Sequence, residues 1–163
     1  MKLGIMADSH DNRKNIKKAV ELFNEHKVEL VIHAGDFTSV SSLSLLQNLN
    51  MKMLGIFGNN DVNRVGLAQK STELGFELYN DPYTVELEGR RFSIFHDPLM
   101  IDDGIVKVAN HDILIYGHTH KFEIKREGNS LLINPGETAG LLENRNSIVI
   151  LELGDLSHQV LRF

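Results

Sequence analysis

Short apolar runs, each ending in glycine or polar residues, divide the first half of the chain. Three such runs occur, at positions 3–7, 29–34 and 52–57. An apolar run of this length that stops in glycine and polar residues is typical of a buried strand entering a loop. The pattern therefore predicts three strands in the first half of the chain.

The segments that separate these runs have helical spacing. Over 12–25, apolar side chains fall on one helix face, namely Ile16, Ala19, Val20 and Phe23. The serines at 39–42 offer N-cap candidates for a second helix through Leu49. A third helix fits 63–74, before Gly75. This alternation of strand and helix favours a parallel sheet.

The second half of the chain changes to paired strands. Three hairpins are predicted, each with a glycine in its turn: 83–87 with 91–95, 122–126 with 130–133, and 147–153 with 158–163. A buried strand is expected at 113–116 and a short helix over 104–109. Antiparallel strands after a parallel start predict a mixed sheet or two packed sheets, with helices on the outer faces.

Length, composition and charge limit the class of protein. The chain has 163 residues, of which 42% are hydrophobic and 24% charged, so a single domain over 1–163 is expected. The net charge of -5 gives no support for broad binding to nucleic acid or an anionic membrane. No apolar stretch approaches the roughly 20 residues of a membrane span, and Asp8 interrupts the first run too early for a secretory signal. A cytoplasmic protein is therefore expected. The chain has no cysteine, so a metal would bind through nitrogen and oxygen.

Seven potential metal ligands stand where predicted strands end. They are Asp8, His10, Asp36, Asn59, His96, His118 and His120. In open α/β sheets, sites form outside the carboxyl ends of the strands, and residues two apart in an extended segment point to the same side. A tetrahedral zinc ion takes about four ligands, so seven are too many for one such ion. Seven ligands suit two ions about 3.5–4 Å apart that share a carboxylate. The set predicts a two-metal centre that hydrolyses a phosphate ester.

Each motif alone has a simpler interpretation. Asp8-Ser9-His10 alone suits a helix cap or a turn, and Gly35-Asp36 and the segment 58–61 are ordinary turn sequences. A single His96 would be a packed or surface histidine, and His33, inside the second strand, is expected to be a packed residue. The ordered set as a whole favours the metal centre.

In this order, the motifs resemble the calcineurin-like metallophosphoesterase superfamily. The blocks are Asp8-Ser9-His10, Gly35-Asp36, Gly58-Asn59-Asn60-Asp61, His96 and Gly117-His118-Thr119-His120. The chain length and the Asn134-Pro135-Gly136 block are similar to its small phosphodiesterase branch. The resemblance implies an α/β fold: a four-layer α/β/β/α sandwich of two mixed sheets flanked by helices.

The resemblance also implies how the ligands divide between two ions. Asp8, His10, Asp36 and His120 would hold one ion, and Asp36, Asn59, His96 and His118 the other. Asp36 would bridge them, and a hydroxide bridging the ions would be the nucleophile. Family members use Mn²⁺, Ni²⁺, Fe²⁺, Zn²⁺ or Co²⁺, and Mn²⁺ is the ion expected here. Nitrogen and oxygen ligands alone do not discriminate among these ions.

Two positions depart from the family pattern. Larger members carry a histidine after the ligand asparagine, where it assists the leaving group. Asn60 cannot donate a proton in that way, but its amide can hydrogen-bond a phosphoryl oxygen. Small members often read His-Gly-His where this chain has His96-Asp97-Pro98, so Asp97 would either orient an imidazole or form a turn.

These comparisons complete the set of expected site residues. Asp36, Asn59 and Asn60 are the expected catalytic residues, and Asn60, Asp97 and Arg13 the expected substrate contacts. Arg13, at the start of the first helix, would hold a phosphate or lie on a solvated helix face. The pocket walls are expected in four segments, 37–42, 61–66, 97–103 and 136–143.

The function expected from these residues is a metal-dependent phosphodiesterase acting on a small-molecule diester, and not on nucleic acid or at a membrane. A phosphomonoesterase or nucleotidase in the same fold is an alternative. So is a protein-interaction scaffold like the vacuolar sorting subunit of retromer, which is similar in fold. A nuclease would need a groove lined by basic residues. The net negative charge of the chain argues against that function. Small members commonly associate, which allows a homodimer or homotetramer.

Overall fold

The computed structural model describes residues 1–142 and 145–163, which form eleven strands and four α-helices. The strands are β1 (Lys2–Met6), β2 (Leu30–His33), β3 (Lys52–Ile56), β4 (Glu77–Tyr79), β5 (Tyr83–Leu87), β6 (Arg90–Ile94), β7 (Ile113–Ile115), β8 (Phe122–Glu127), β9 (Ser130–Pro135), β10 (Ser147–Glu152) and β11 (His158–Arg162). The helices are α1 (Arg13–Glu25), α2 (Val40–Leu45), α3 (Arg64–Glu73) and α4 (Leu99–Asp102), with 3-10 turns at Leu46–Asn48 and Val108–Asn110.

The strands form two mixed sheets. The six-stranded sheet has the order β11-β10-β1-β2-β3-β4, in which β1 to β4 run parallel and β10 and β11 form an antiparallel edge. The five-stranded sheet has the order β5-β6-β7-β9-β8, with β6, β7 and β9 parallel in its centre. The parallel start and the three hairpins predicted from the sequence are confirmed.

Alternation along the strands produces four layers. In β7, Ile113 and Ile115 pack between the two sheets, whereas Leu114 packs on the other side, against α4 and the turn at Val108–Asn110. In β1, Ile5 packs between the sheets and Met6 packs on the side of α1 to α3. Successive side chains of a strand point to opposite faces, so both central strands are buried on both sides. The expected sandwich of two mixed sheets flanked by helices is confirmed.

The first three helices each begin at a side-chain cap, of which only the one among the serines at 39–42 was predicted. The side chains of Asn12, Ser39 and Asn63 accept hydrogen bonds from backbone N–H groups in the first turns of α1, α2 and α3. The longest of these helices has 13 residues. Within the described ranges, no helix is long and apolar enough to cross a membrane.

The structure corrects three local predictions. The short helix predicted over 104–109 is wrong: α4 begins earlier, after Pro98, and Gly104 follows it with a φ of 71°, a left-handed conformation that ends a helix. The second helix ends at Leu45 and continues as a 3-10 turn instead of reaching Leu49. The edge strand β4 was not predicted because it is only three residues long.

Candidate metal centre

The candidate ligands lie in loops that follow the carboxyl ends of five strands. Asp8 and His10 follow β1, Asp36 follows β2, Asn59 follows β3, His96 follows β6, and His118 and His120 follow β7. β1 to β3 are parallel neighbours in one sheet, and β6 and β7 are parallel neighbours in the other. The two sheets therefore deliver their ligands to one edge of the sandwich, where sites form in open α/β sheets.

The backbone at these ligands is strained. Five of the seven have a left-handed φ: Asp8 (50°), His10 (37°), Asp36 (61°), His118 (67°) and His120 (60°). Residues other than glycine seldom adopt this conformation, and where it persists the surrounding contacts enforce it, often at a functional site. Here the β1 and β2 loops are tied together, because the N–H groups of Asp8 and His10 donate to the carbonyls of Gly35 (3.0 Å) and Asp36 (3.2 Å).

Two glycines allow the ligand loops to approach each other. A Cβ atom at Gly58 would lie 2.2 Å from Oδ1 of Asp36, and one at Gly117 would lie 2.8 Å from Oδ2 of Asp8. Both distances are far below van der Waals contact, so any side chain at these positions would displace a ligand carboxylate. The glycine before each ligand block is therefore needed for this close approach.

One group of donors surrounds Asp8. Its Oδ1 lies 3.8 Å from Nε2 of His10 and 3.6 Å from Nε2 of His120. Those two nitrogens are 3.2 Å apart, and the two rings stack with centroids 4.9 Å apart. The three residues offer donor atoms within 4.8 Å of one another, a spacing that suits one metal ion.

A second group of donors surrounds Asn59. Its Oδ1 lies 2.9 Å from both Nε2 of His96 and Nδ1 of His118. Asp36 lies between the two groups, because its Oδ2 is 3.5 Å from Nε2 of His10 and 3.3 Å from Nε2 of His96. The structure thus brings all seven candidate ligands together, and a further group of donors within 4.8 Å of one another joins Asp8, Asp36 and His96.

Each of the four ligand imidazoles turns one nitrogen to the centre, and three of them hydrogen-bond a separate group through the other nitrogen. The outer partners are Oγ1 of Thr38 for His10 (3.3 Å), the carbonyl of Ala34 for His96 (2.8 Å) and Oε2 of Glu137 for His120 (2.7 Å), whereas Nε2 of His118 lies 3.9 Å from Oδ2 of Asp97, beyond hydrogen-bond distance. Partners of this kind fix the tautomer and the ring orientation of metal-binding histidines. The inner nitrogens are Nε2 of His10, His96 and His120 and Nδ1 of His118.

Burial and neighbouring charge shift the pKa values of these groups in opposite directions. Burial raises the pKa of Asp8 to about 7 and lowers that of His10. Burial also acts to raise the pKa of Asp36, but the hydrogen bond and charge of His96, with two hydrogen bonds from Asn60, hold it below its usual range. Burial lowers the pKa of His96, but Asp36 and Asp8 outweigh it and raise the value to about 9.

The charges of the site fit a divalent cation. Asp8 and Asp36 are fully buried, and among the described residues their ion pairs are with histidines and not with lysine or arginine. A buried charge needs a charged partner or a metal. Carboxylate, amide oxygen and imidazole are the donors that first-row divalent ions accept, so the residues present suit such ions.

Asp61 supports the ligand loops, a role that was not predicted for it. This buried carboxylate accepts N–H groups from Asp36 (2.9 Å), Thr38 (2.7 Å) and Gly58 (2.8 Å), and burial raises its pKa. It thereby joins the loop after β2 to the loop after β3. The segment 58–61 contained the signal, because an aspartate two residues after a ligand can reach back to backbone N–H groups.

The three expected substrate contacts have different positions. Asn60 is exposed, and its backbone N–H and side-chain amide donate to Oδ1 and Oδ2 of Asp36, each at 2.8 Å. Asp97 forms the turn considered for it, since its Oδ1 accepts the N–H of Leu99 (2.9 Å), while its Oδ2 lies 3.9 Å from Nε2 of His118 without a hydrogen bond that would orient the imidazole. Arg13 is exposed at the first residue of α1, and within the described ranges no side-chain hydrogen bond or ion pair connects it to the site.

His33 is packed as expected and also contacts the ligand loops. It is fully buried and stacks on Phe37, with ring centroids 3.8 Å apart. Its Nε2 lies 3.1 Å from Oγ of Ser9, which donates to the carbonyl of Asp36 (3.3 Å), while its Nδ1 lacks a partner within the described ranges. Burial lowers the pKa of His33 to about 3. A buried N–H without a partner is costly, so we assign the proton to Nε2, which donates to Ser9.

Comparisons with known proteins agree with this geometry. Residues 1–156 match the family model of the calcineurin-like phosphoesterase superfamily domain. The chain is 38% identical over 154 residues to a phosphodiesterase of Methanocaldococcus jannaschii, a match covering 93% of both chains. The solved structure of an archaeal phosphodiesterase superposes with a TM-score of 0.93 at 35% identity, covering 100% of both chains.

A more distant structure shares the fold alone. Vps29 of Entamoeba histolytica, solved in complex with Zn²⁺, superposes with a TM-score of 0.69 at 19% identity, covering 100% of this chain and 98% of that one. The family match rests on nearly the whole chain, and the resemblance seen in the motif blocks is confirmed. The chain belongs to the calcineurin-like phosphoesterase superfamily.

Proposed function

We propose that this chain is a phosphoric ester hydrolase, and specifically a metal-dependent phosphodiesterase with a dinuclear centre. The observation that supports this most directly is the convergence of seven donor side chains at one edge of the sandwich, where Oδ2 of Asp36, one of the seven, faces both His10 and His96. The Methanocaldococcus jannaschii relative, 38% identical to this chain, is named a phosphodiesterase. The substrate proposed is a small-molecule diester.

The residues divide into two overlapping ligand sets. Asp8, His10, Asp36 and His120 would hold one ion, and Asp36, Asn59, His96 and His118 the other. Mn²⁺ is the ion proposed, with Ni²⁺, Fe²⁺, Zn²⁺ and Co²⁺ as alternatives. When bound, such ions would supply Lewis-acid chemistry, which lowers the pKa of the water that becomes the hydroxide nucleophile and stabilises charge on the phosphoryl group.

The side chains of the site position these ligands and the substrate. The shared carboxylate of Asp36 is held by Asn60, whose amide uses one N–H for Oδ2 of Asp36 and has a second N–H free to donate to a phosphoryl oxygen. Asn59 contributes a neutral oxygen, which limits the negative charge around the substrate phosphate. Asn60, the residue after Asn59, can donate a hydrogen bond but cannot act as a general acid. Esters whose leaving group departs without protonation are therefore expected to react fastest.

Hydrolysis of an activated aryl phosphodiester tests this proposal. The purified protein is assayed with bis(p-nitrophenyl) phosphate and each of the five divalent ions in turn. Asp36→Ala is the control, because the loss of the shared carboxylate removes a ligand from both ions and is expected to leave no more than a trace of the rate. Folded wild-type protein that shows no turnover with any of the ions would contradict the proposal.

Matched substrates separate the alternatives. A phosphomonoesterase would hydrolyse p-nitrophenyl phosphate faster than its methyl diester. A protein-interaction scaffold would show metal binding without turnover of either ester. The ligand set argues against the scaffold, because each of the seven ligand positions carries a residue with a metal-binding side chain.

A further inference from the structure

Exposed apolar side chains occur in segments that follow strands at the edge of the sandwich that carries the candidate ligands. In the described parts of the chain, the large hydrophobic residues most exposed to solvent lie in the segments that follow β3, β6 and β9. They are Val62, Val65, Leu99, Ile105, Leu141 and Leu142. Asn59 and His96 lie in two of these segments, and Glu137, the partner of His120, lies in the third. Single exposed apolar residues are ordinary, but a group that shares one edge with a candidate site is typical of a binding surface.

Three of these residues are connected to the metal centre through their own backbone N–H groups. The links run from Val62 to the carbonyl of Asn60 (3.0 Å), from Leu99 to Oδ1 of Asp97 (2.9 Å) and from Leu142 to Oε1 of Glu137 (2.7 Å). Each acceptor residue in turn contacts a candidate ligand, because Asn60 holds Asp36, Asp97 faces His118 and Glu137 holds His120. We name Val62, Leu99 and Leu142 the apolar rim. One backbone hydrogen bond from each of the three residues ends on a residue that contacts a candidate ligand.

The charge around the rim restricts what it can bind. The segments 58–63, 96–104 and 136–142 contain no lysine or arginine, whereas they contain Asp61, Asp97, Asp102, Asp103 and Glu137. A nucleic-acid backbone needs a row of cations to follow it. Asp61 and Glu137 are buried, but a second anionic group on a small substrate would meet the solvent-accessible carboxylates of Asp97, Asp102 and Asp103. The phosphate itself would be the only anionic group that the metal centre compensates.

We propose that the apolar rim binds an uncharged, apolar ester group of the substrate, so that the favoured substrates are phosphodiesters with an aryl or branched alkyl substituent. This inference rests on the proposed phosphodiesterase activity and names its substrate class. The side chains are well exposed, at 88% for Val62, 57% for Leu99 and 72% for Leu142, so an apolar group can cover them. Such contact removes apolar area from water in the enzyme–substrate complex.

Two diesters with one leaving group test the rim. Methyl p-nitrophenyl phosphate and phenyl p-nitrophenyl phosphate release the same nitrophenolate and differ in the group that remains. Wild-type protein is expected to prefer the phenyl ester, and Val62→Ser, Leu99→Ser and Leu142→Ser are each expected to lower kcat/KM for that ester about 3- to 10-fold. The loss should appear in KM, with little change for the methyl ester. Ile105→Ser is the matched control, because this exposed aliphatic residue has no such link to a ligand partner.

Binding measurements keep the test independent of turnover. Methyl(phenyl)phosphinate and dimethylphosphinate, in which both substituents are joined to phosphorus by P–C bonds and no ester can be hydrolysed, are titrated calorimetrically into metal-loaded wild-type protein and the triple serine variant. A phenyl preference that the triple variant loses supports the rim even if neither diester is hydrolysed, in which case the proposed activity alone fails. Equal affinity of the wild type for the phenyl and methyl probes would overturn the inference. So would a preference for the phenyl probe that is unchanged in the triple variant. A change of oligomeric state in sedimentation without a change of preference would overturn it too, because the rim would then be an interface between copies.

Discussion

Oε2 of Glu137 lies 2.7 Å from Nδ1 of His120, and the glutamate is completely buried. This contact assigns the Nδ1 proton of His120 to the bond with Glu137 and leaves Nε2, which faces Asp8, as the lone-pair donor. The other oxygen, Oε1, accepts the N–H of Leu142 at 2.7 Å. One buried carboxylate therefore orients a candidate ligand and positions part of the apolar rim.

Replacing Glu137 by glutamine should weaken one metal site selectively. Glutamine keeps the size of the side chain but loses the charged acceptor that orients the His120 ring, and partners of this kind are typically worth 10- to 100-fold in metal affinity. In a calorimetric titration with Mn²⁺, we expect the affinity of the proposed site that contains His120 to fall by about that factor, while the affinity of the other proposed site changes by less than about 3-fold. Glu123→Gln, at a glutamate that contacts Tyr116 and Lys125, is the control. Unchanged affinity at both sites would show that Glu137 only anchors the chain.

Asp61→Asn should destabilise the metal-free protein. Asp61 offers oxygens to three N–H groups, and in asparagine one of these oxygens becomes an NH₂ group that meets an N–H at close range. Losing a hydrogen bond to a buried charged group and leaving an N–H unsatisfied is expected to cost about 3 kcal/mol in the free energy of unfolding. Urea denaturation in the presence of a chelator measures this. Asp103→Asn, at an exposed position, should change the value by less than about 0.5 kcal/mol; an equal loss in both variants would contradict the role of Asp61.

The parts of this structure that the sequence predicted are those that local patterns determine. The strands that carry Asp8, Asp36 and His118 are short apolar runs, and their ligands stand at fixed distances from the run ends, so both could be predicted. Glu137 was missed because it meets His120 across two different loops, and no spacing marks such a partner. The position of α4 was missed because Pro98 and Gly104, and not an apolar period, determine where it begins and ends.

Asn60→His should change the leaving-group preference of the proposed enzyme. A histidine at this position can protonate the leaving oxygen, and general acid catalysis is typically worth 10²–10⁴-fold. For a diester with an alkyl leaving group we expect kcat to rise at least about 10-fold, and for a nitrophenyl diester to stay flat or fall, because the bond from Asn60 to Asp36 is lost. The ratio of the two kcat values is the measurement, with Asn60→Ala as the control for the lost bond. If kcat falls by the same factor for both esters in Asn60→His, position 60 does not reach the leaving oxygen, which would contradict this prediction.

His33 should make the metal-free protein sensitive to acid. Its pKa is lowered by burial to about 3 in the folded state, whereas in the unfolded chain it is about 6.5. The unfolded state therefore binds a proton first as the pH falls, so the stability associated with neutral His33 is complete above pH 6.5 and is lost progressively toward pH 3. Between pH 7 and pH 5, this one residue should reduce the free energy of unfolding by about 2 kcal/mol.

The difference between wild type and His33→Gln isolates this contribution, because the other histidines titrate equally in both proteins. Glutamine can still donate to Ser9, so the ligand loops stay tied, but it carries no titrating group. Urea denaturation with a chelator at pH 7 and pH 5 should show the wild type losing about 2 kcal/mol more than the variant over this interval. His158→Gln, at an exposed histidine of β11, should follow the wild type. Parallel losses in wild type and His33→Gln would mean that the folded protein accepts a second proton on this imidazole, and would contradict the lowered pKa of buried His33.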